Sequence, residues 1–386
     1  GRLFVLKKRC LAVLMIILSA FLTACGGNDG ELYTTDNVTP TPSSNVGDGT
    51  MDNTGNDGNA GEPKDGNGDN DGLIKVGFAQ VGHESDWRTA STASAQDVFS
   101  EANGYSLLFA DADNSQQAQI DAIREFIDAK VDYLVIDPVL PTGWDDVLKE
   151  AKRAGIPVFL IDRTIDADKS LYEAWYGSDF EAEGKAAAEW LKAYIEAKKI
   201  DDDSVRIVTI TGNKGSSAQI GRSKGFKKVA EKEAYWELLA EKDGEFTEDG
   251  GYNVMRSFLK SYDDIDVVVC QNDNEAWGAM RAMEAEGLKY GVDGDVIIIS
   301  FDAVRDGLAD VMAGRINADF ECNPLAAPYV ADAIQVMEAD GKVEKKTNYI
   351  EEACFQSESY VKTIEVDGKK IEMITVTDEV FANRMY

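Results

Sequence analysis

The chain has 386 residues, with 70 acidic against 39 basic side chains and a formal net charge of −31. An excess of that sign excludes nucleic-acid recognition, which needs a basic footprint, and reads as a solvated surface. A single histidine cannot build a histidine-rich metal site, and the five cysteines lack zinc-ligand spacing, so neither a metal nor a cofactor is expected.

In chain order, Lys7, Lys8 and Arg9 come first, and an apolar run over 11–22 follows at once. A basic head, a short apolar stretch and small residues before a cut site read as a secretory signal over 1–24. The run is too short to be a comfortable membrane span. The sequence Leu22-Thr23-Ala24-Cys25 resembles the lipobox of bacterial lipoproteins, which implies a lipid on Cys25. Acyl chains would then hold a soluble domain at the membrane without a span. Residues 25–72 are dominated by Gly, Asn, Asp, Ser, Thr and Pro and cannot bury enough apolar surface to offset their ordering entropy. They read as a disordered acidic tether.

From residue 73 the composition is globular, and the remaining length favours two lobes. Continuous apolar runs at 74–78, 106–109, 133–136, 158–161, 205–210, 237–240, 267–270 and 296–300 read as buried parallel strands. Helical faces lie between them: Ile120, Ile123 and Ile127; Trp190, Leu191, Tyr194 and Ile195; Val254, Met255, Phe258 and Leu259. Asp273 or Asn274 could cap the helix that holds Met280 and Met283. Gly155, Gly287 and Gly314 sit where helices should stop. Repeated strand–helix units predict an α/β fold, with a parallel sheet in each of two Rossmann-like lobes. Of the cysteines in this part, Cys270 ends an apolar strand as a buried thiol; Cys322 and Cys354 could pair in an oxidising compartment.

Ligands of open parallel sheets bind beyond the carboxyl ends of the strands. The residues found there are Gln80 to Arg88, Asp137, Asp162-Arg163, the TGNKGSS loop with Arg222 beyond it, Gln271-Asn272-Asp273 and Phe301-Asp302. Carboxylates accept from hydroxyls and guanidinium groups donate, which suits a neutral polyhydroxylated ligand. Trp87 or Phe301 could cover a sugar's C–H face. Each residue has a plainer role open to it. Asp162 and Arg163 could form a loop salt bridge, Trp87 could be core, Asn272 a helix cap, and Arg222 a solvated charge. His83 reads as incidental. No GxSxG elbow, P-loop or GxGxxG fingerprint is present, so no enzyme is expected.

The segments VGFAQVGHESDWRTA, IDPVLPTGWDDVLKEAKRAGIPVFLIDRTID, TGNKGSSAQIGRSKGF, VVVCQNDNEAWGAMRAMEAEG and ISFDAVRDGLADVMAGRINADFECNP resemble the sugar-binding proteins of bacterial ABC importers, of the ribose-binding class. Through SDWR, PTGW and IDRTID they are most like its galactofuranose-binding branch. The resemblance implies a periplasmic binding protein type I fold, with a three-strand hinge crossing near Gly177, Cys322 and Cys354. Lobe 1 would comprise 73–176 and 323–353, and lobe 2 would comprise 177–322 and 354–386. It implies ligand contacts at Gln80, Glu84, Trp87, Arg88, Asp162, Arg163, Arg222, Asn272, Phe301 and Asp302. Where ribose binders carry glutamine this chain has Cys322, so Glu321 becomes the expected contact and ribose the less expected sugar. Cys322 and Cys354 would lie on adjacent hinge strands and could form a disulfide. The implied protein is a monomer held by lipid on the outer face of the cytoplasmic membrane, which closes on a monosaccharide and delivers it to an ABC permease. The alternative is a sensing module that feeds a histidine kinase or chemoreceptor.

Overall fold

The computed structural model describes residues 72–200 and 204–386. The signal, the proposed lipid site at Cys25 and nearly all of the tether lie outside them. No helix among the described residues is long and apolar enough to cross a membrane.

The chain opens with β1 (Ile74–Gln80), α1 (Asp86–Val98), β2 (Tyr105–Asp111), α2 (Gln116–Asp128), β3 (Tyr133–Ile136), α3 (Asp145–Ala154), β4 (Val158–Ile161) and β5 (Ala174–Gly177). It continues through α4 (Phe180–Lys198), β6 (Val205–Thr211), α5 (Ser217–Ala230), β7 (Trp236–Asp243), α6 (Glu248–Ser261), β8 (Val267–Cys270), α7 (Asp273–Ala285), β9 (Ile297–Asp302), α8 (Arg305–Met312) and β10 (Ala318–Glu321). It ends with α9 (Ala327–Asp340), β11 (Thr347–Tyr349), β12 (Cys354–Gln356), β13 (Thr363–Val366), β14 (Lys369–Thr375) and α10 (Asp378–Ala382).

Two sheets result. One has the order β11-β5-β4-β3-β1-β2, the other β13-β14-β12-β10-β9-β8-β6-β7. The first is parallel throughout, and the second is parallel except at β10–β12 and β13–β14. The chain passes between the sheets three times: after β5, after β10 and after β11. Apolar clusters cover both faces of each sheet, as βαβ crossovers require. On α4 the fully buried Trp190 and Leu191 face β6, β9 and β10. Each such side chain contributes about 1.5–3 kcal/mol, so Trp190→Ala would open the second lobe's core.

Helices α4 and α5 touch backbone to backbone because Gly184 and Gly225 lie between them. A Cβ on Gly184 would come within 2.2 Å of the Arg222 carbonyl oxygen, and one on Gly225 within 2.0 Å of that of Glu181. That approach is what brings Glu183 to Arg222.

Several expectations need correction. β7 is a half-exposed edge strand rather than a buried one. The short β5 and β10–β14 carried too little apolar sequence to be read; β10 buries Asp319 and Glu321. The cap of α7 is Asn272, whose side chain accepts from Glu275 N, not Asp273 or Asn274. Cys322 and Cys354 are free, buried thiols. The antiparallel register pairs Phe320 with Cys354, so Cys322 sits two residues further along. Such diagonal neighbours lie about 7–8 Å apart, beyond the usual disulfide span.

Candidate functional site

On the first sheet's lip, Ser85 N-caps α1 by accepting from Arg88 N at 3.2 Å, which sets Glu84, Trp87 and Arg88 at the helix start. Arg88 Nε donates to Glu84 Oε1 at 3.1 Å, and Nη1 donates to Asp162 Oδ2 at 3.0 Å and to Asp137 Oδ2. Arg163 Nη1 donates to the Val139 carbonyl at 3.2 Å, and its Nη2 lies 3.8 Å from Glu84 Oε1. Burial opposes the charge of Glu84, but Arg88 and Arg163 outweigh it and hold the carboxyl below its usual value. At Asp137 burial wins over Arg88 and pushes the carboxyl up.

The second lip is sparser. Arg222, on α5, donates through Nε to Glu183 Oε2 at 2.6 Å, through Nη2 to Asp302 Oδ1 at 3.3 Å, and to the Gln271 carbonyl. Its guanidinium carbon lies 4.9 Å from the Phe301 ring centroid and 5.5 Å from that of Phe180. Burial, against the pull of Arg222, pushes Asp302 well above the usual carboxylate range. Asn272 spends Oδ1 on its cap and one Nδ2 proton on the Phe246 carbonyl at 2.9 Å.

The lips meet. Trp87 Nε1 donates to the Cys322 carbonyl at 2.6 Å, Thr164 N to Ser217 Oγ at 3.0 Å, and Asp86 N to Asn274 Oδ1 at 3.1 Å. Between them lies a cavity lined by Glu84, Trp87, Arg88, Asp162, Arg163, Arg222, Asn272 and Asp302, all expected from sequence. Ser85, Phe180, Ala218, Phe246 and Cys322 line it as well. Atom-free space there is about 280 Å³, but the centre of a water-sized sphere has only about 20 Å³, room for roughly one water. The cleft is therefore nearly shut, and a ring-sized ligand needs the lips to part. A roomier cleft, with about 800 Å³ of atom-free space, opens beside β5 and β11, near Thr164, Lys169, Tyr172 and Tyr349. It has no buried, converging charges, so the narrower cavity is the candidate site.

Backbone strain gathers at this cavity. Asp162, Phe246 and Asp302 have φ of 55°, 60° and 95°. Each such position costs on the order of 1–3 kcal/mol and persists where the surroundings enforce it.

Three expected contacts lie elsewhere. Gln80 is wholly buried behind the lip, where its side chain donates to Thr92 Oγ1 at 3.0 Å and accepts from Val81 N at 3.0 Å. Phe301 is core beneath Arg222. Glu321 points away: Arg384 Nη1 holds its Oε1 at 2.5 Å, Tyr386 adds a hydroxyl, and Ala353 N donates to Oε2 at 2.6 Å. Strand side chains alternate between faces, so Cys322, just past β10, reaches the cavity and Glu321 at the strand's end does not. That alternation was the available signal. Phe246 and Phe180 had weaker ones, a lone aromatic in a polar loop and one just after a crossing. His83 pairs with Asp111 at the surface, 2.6 Å away.

Ligating atoms of Glu183, Cys322 and Glu352 come within 4.8 Å of one another. Arg222 already answers Glu183 there, so this group reads as part of an ion network rather than a metal centre.

Residues 76–342 match the model of the periplasmic binding protein domain. The chain belongs to the periplasmic binding protein family. Within this family it is similar to the galactofuranose-binding protein YtfQ of Escherichia coli (strain K12), at 38% identity over 277 residues covering 71% of this chain and 85% of that one. A crystal structure from Mycobacterium smegmatis in complex with beta-D-fucofuranose is similar at 40% identity and TM-score 0.70, covering 74% of this chain and 92% of that one. The periplasmic binding protein component of the arabinose ABC transporter from Shewanella sp. ANA-3, bound to alpha and beta-L-arabinofuranose, is similar at 36% identity and TM-score 0.69, covering 74% and 93%. The relatives are solute-binding proteins, and this family member is likewise not an enzyme.

Proposed function

We propose that the protein is an extracytoplasmic, lipid-anchored binding protein that captures a furanose sugar, galactofuranose or a close relative, and hands it to an ABC permease. The observation that carries this reading is the charge balance of the cavity. Three buried guanidinium groups, those of Arg88, Arg163 and Arg222, are each answered by carboxylates. No cation is left over for a phosphate or carboxylate ligand. Glu84 Oε2 is buried with no hydrogen-bond partner, an acceptor suited to a ligand hydroxyl. Trp87, Phe180 and Phe246 supply apolar faces for ring C–H groups. The preference for the five-membered ring rests on the furanoses that the relatives' names record.

Capture then works by differential contact. Glu84, Arg88, Asp162 and Arg163 belong to one lobe and Arg222, Asn272 and Asp302 to the other, so only a closed pair of lobes offers both sets. A sugar that touches both favours closure by the contacts it gains there. The closed pair would present a joint surface to the permease. Monomeric behaviour in size-exclusion chromatography with light scattering, and loss of the membrane fraction in Cys25→Ala, are the expected outcomes for assembly and anchoring.

The test is calorimetric titration with galactose, arabinose, ribose and glucose, with NMR of the bound ring form. Galactose or arabinose bound as furanose is expected. Binding of pyranose forms alone, or of none of these sugars, overturns the proposal.

A further inference from the structure

The three passages between the lobes converge on one side chain outside the cavity. Glu352 lies on the third passage. Its Oε1 accepts from Asn323 N on the second at 2.9 Å and from the Ser178 hydroxyl on the first. Ser178 Oγ also lies 3.2 Å from Cys322 Sγ. Backbone bonds join the same passages in pairs: Ile350 N donates to the Gly177 carbonyl at 2.9 Å, and Glu321 N to the Ala353 carbonyl at 3.0 Å. The Glu352 carboxyl touches both of the other two, and Ser178, its donor from the first, reaches the second as well through Cys322 Sγ. It also comes within 4.8 Å of a Glu183 carboxylate oxygen, and Glu183 holds Arg222 at the cavity wall.

We propose that Glu352 is a positioning residue, a clasp whose single carboxylate oxygen fixes the three passages in their closed geometry and thereby sets how much ligand-free protein is closed. A half-buried acceptor taking two donors is costly to lose, because the Asn323 amide is then left unpaired and the Ser178 hydroxyl keeps only the weaker Cys322 sulfur. Those donors sit on the segments that must rotate for the lobes to part. Removing the acceptor lowers the closed fraction, and apparent affinity falls in proportion to the binding-competent fraction. Burial, with the Glu183 carboxylate nearby, pushes the Glu352 carboxyl well up. A neutral glutamine amide therefore reproduces its acceptor closely.

The experiment compares wild type with Glu352→Ala, Glu352→Gln and Ser178→Ala. Small-angle scattering without ligand reads the open fraction, and titration with the best sugar from the panel above reads affinity. A larger radius of gyration and about tenfold weaker binding are expected for Glu352→Ala. Glu352→Gln should stay within about threefold of wild type, and Ser178→Ala should fall between. Unchanged scattering for Glu352→Ala, or an equal loss in Glu352→Gln, overturns the clasp. If Glu352→Ala fails to fold, Ser178→Ala and Glu352→Gln decide on the same criteria. The scattering arm needs no ligand, so it stands even if the furanose reading fails.

Discussion

The two lips of the cleft are built differently. On the first, two arginines and three carboxylates lock one another in a dense network, drawn from the ends of β1, β3 and β4. On the second, one arginine is shared between Glu183 and Asp302, and this lip carries two of the three cavity aromatics: Phe180 beside Arg222, and Phe246 reaching across to Arg163. Preorganised charge therefore belongs to the first lip, and apolar cover with adjustable hydrogen bonding to the second. In a clamp of this kind the first lip would select the ligand and the second would respond to it.

That contrast can be broken most directly at Arg163. Arg163→Ala should weaken sugar binding at least a hundredfold, about 2.7 kcal/mol, with the fold retained by circular dichroism. Asp302→Ala, on the second lip, should cost about tenfold. Equal losses would erase the distinction between the lips.

A second test concerns the support beneath the second lip. Asp319 is buried beside Asp273, and burial pushes its carboxyl up to about 7. Unfolded, it titrates near 4. The folded state thus holds the proton more tightly, so this group's stabilising contribution is full below about pH 4 and is lost as pH rises to about 7. Asp319→Asn keeps an acceptor for Ala303 N, which Asp319 Oδ1 now meets at 3.1 Å, and carries its own protons toward Asp273. It should gain about 1–3 kcal/mol at pH 8 in urea titrations and flatten the dependence between pH 4 and 7. No gain at pH 8 would count against a shared proton there.

The smallest expected effect lies at the tail. Arg384 Nε donates to the Ala303 carbonyl at 2.7 Å, and Nη2 to that of Asp302 at 3.4 Å, just behind the strained turn that aims Asp302. Arg384→Ala should weaken binding about threefold, and Arg163 in the same titration should be unaffected as a contributor: the double variant should lose the product of the two single effects.

The same contrast decides what could be read from sequence. The first lip comes from three strand ends, and ESDWR and IDR each follow an apolar run, so strand ends located Glu84, Arg88, Asp162 and Arg163 directly. The second lip is assembled from five separated segments. Arg222 and Asn272 were found because each follows a strand by a short interval. Phe246 was missed because β7 before it is an amphipathic edge strand whose end has no apolar signature. Glu321 was misplaced because position in a resembling family was given more weight than strand alternation, which turns it toward Arg384. The passages between lobes were visible only as approximate places, since hinge strands of three or four residues carry too little pattern to register.

The free thiol of Cys322 has a practical corollary. It borders the cavity, 2% exposed, whereas Cys270 and Cys354 belong to apolar clusters away from it, so a Cys354→Ala background isolates its signal. Burial pushes its thiol far up, so little thiolate exists at neutral pH and alkylation is slow. A maleimide reaches this sulfur only when the lips separate. The chain thus carries its own chemical clock: the rate of Cys322 labelling counts openings, and a bound solute should slow it.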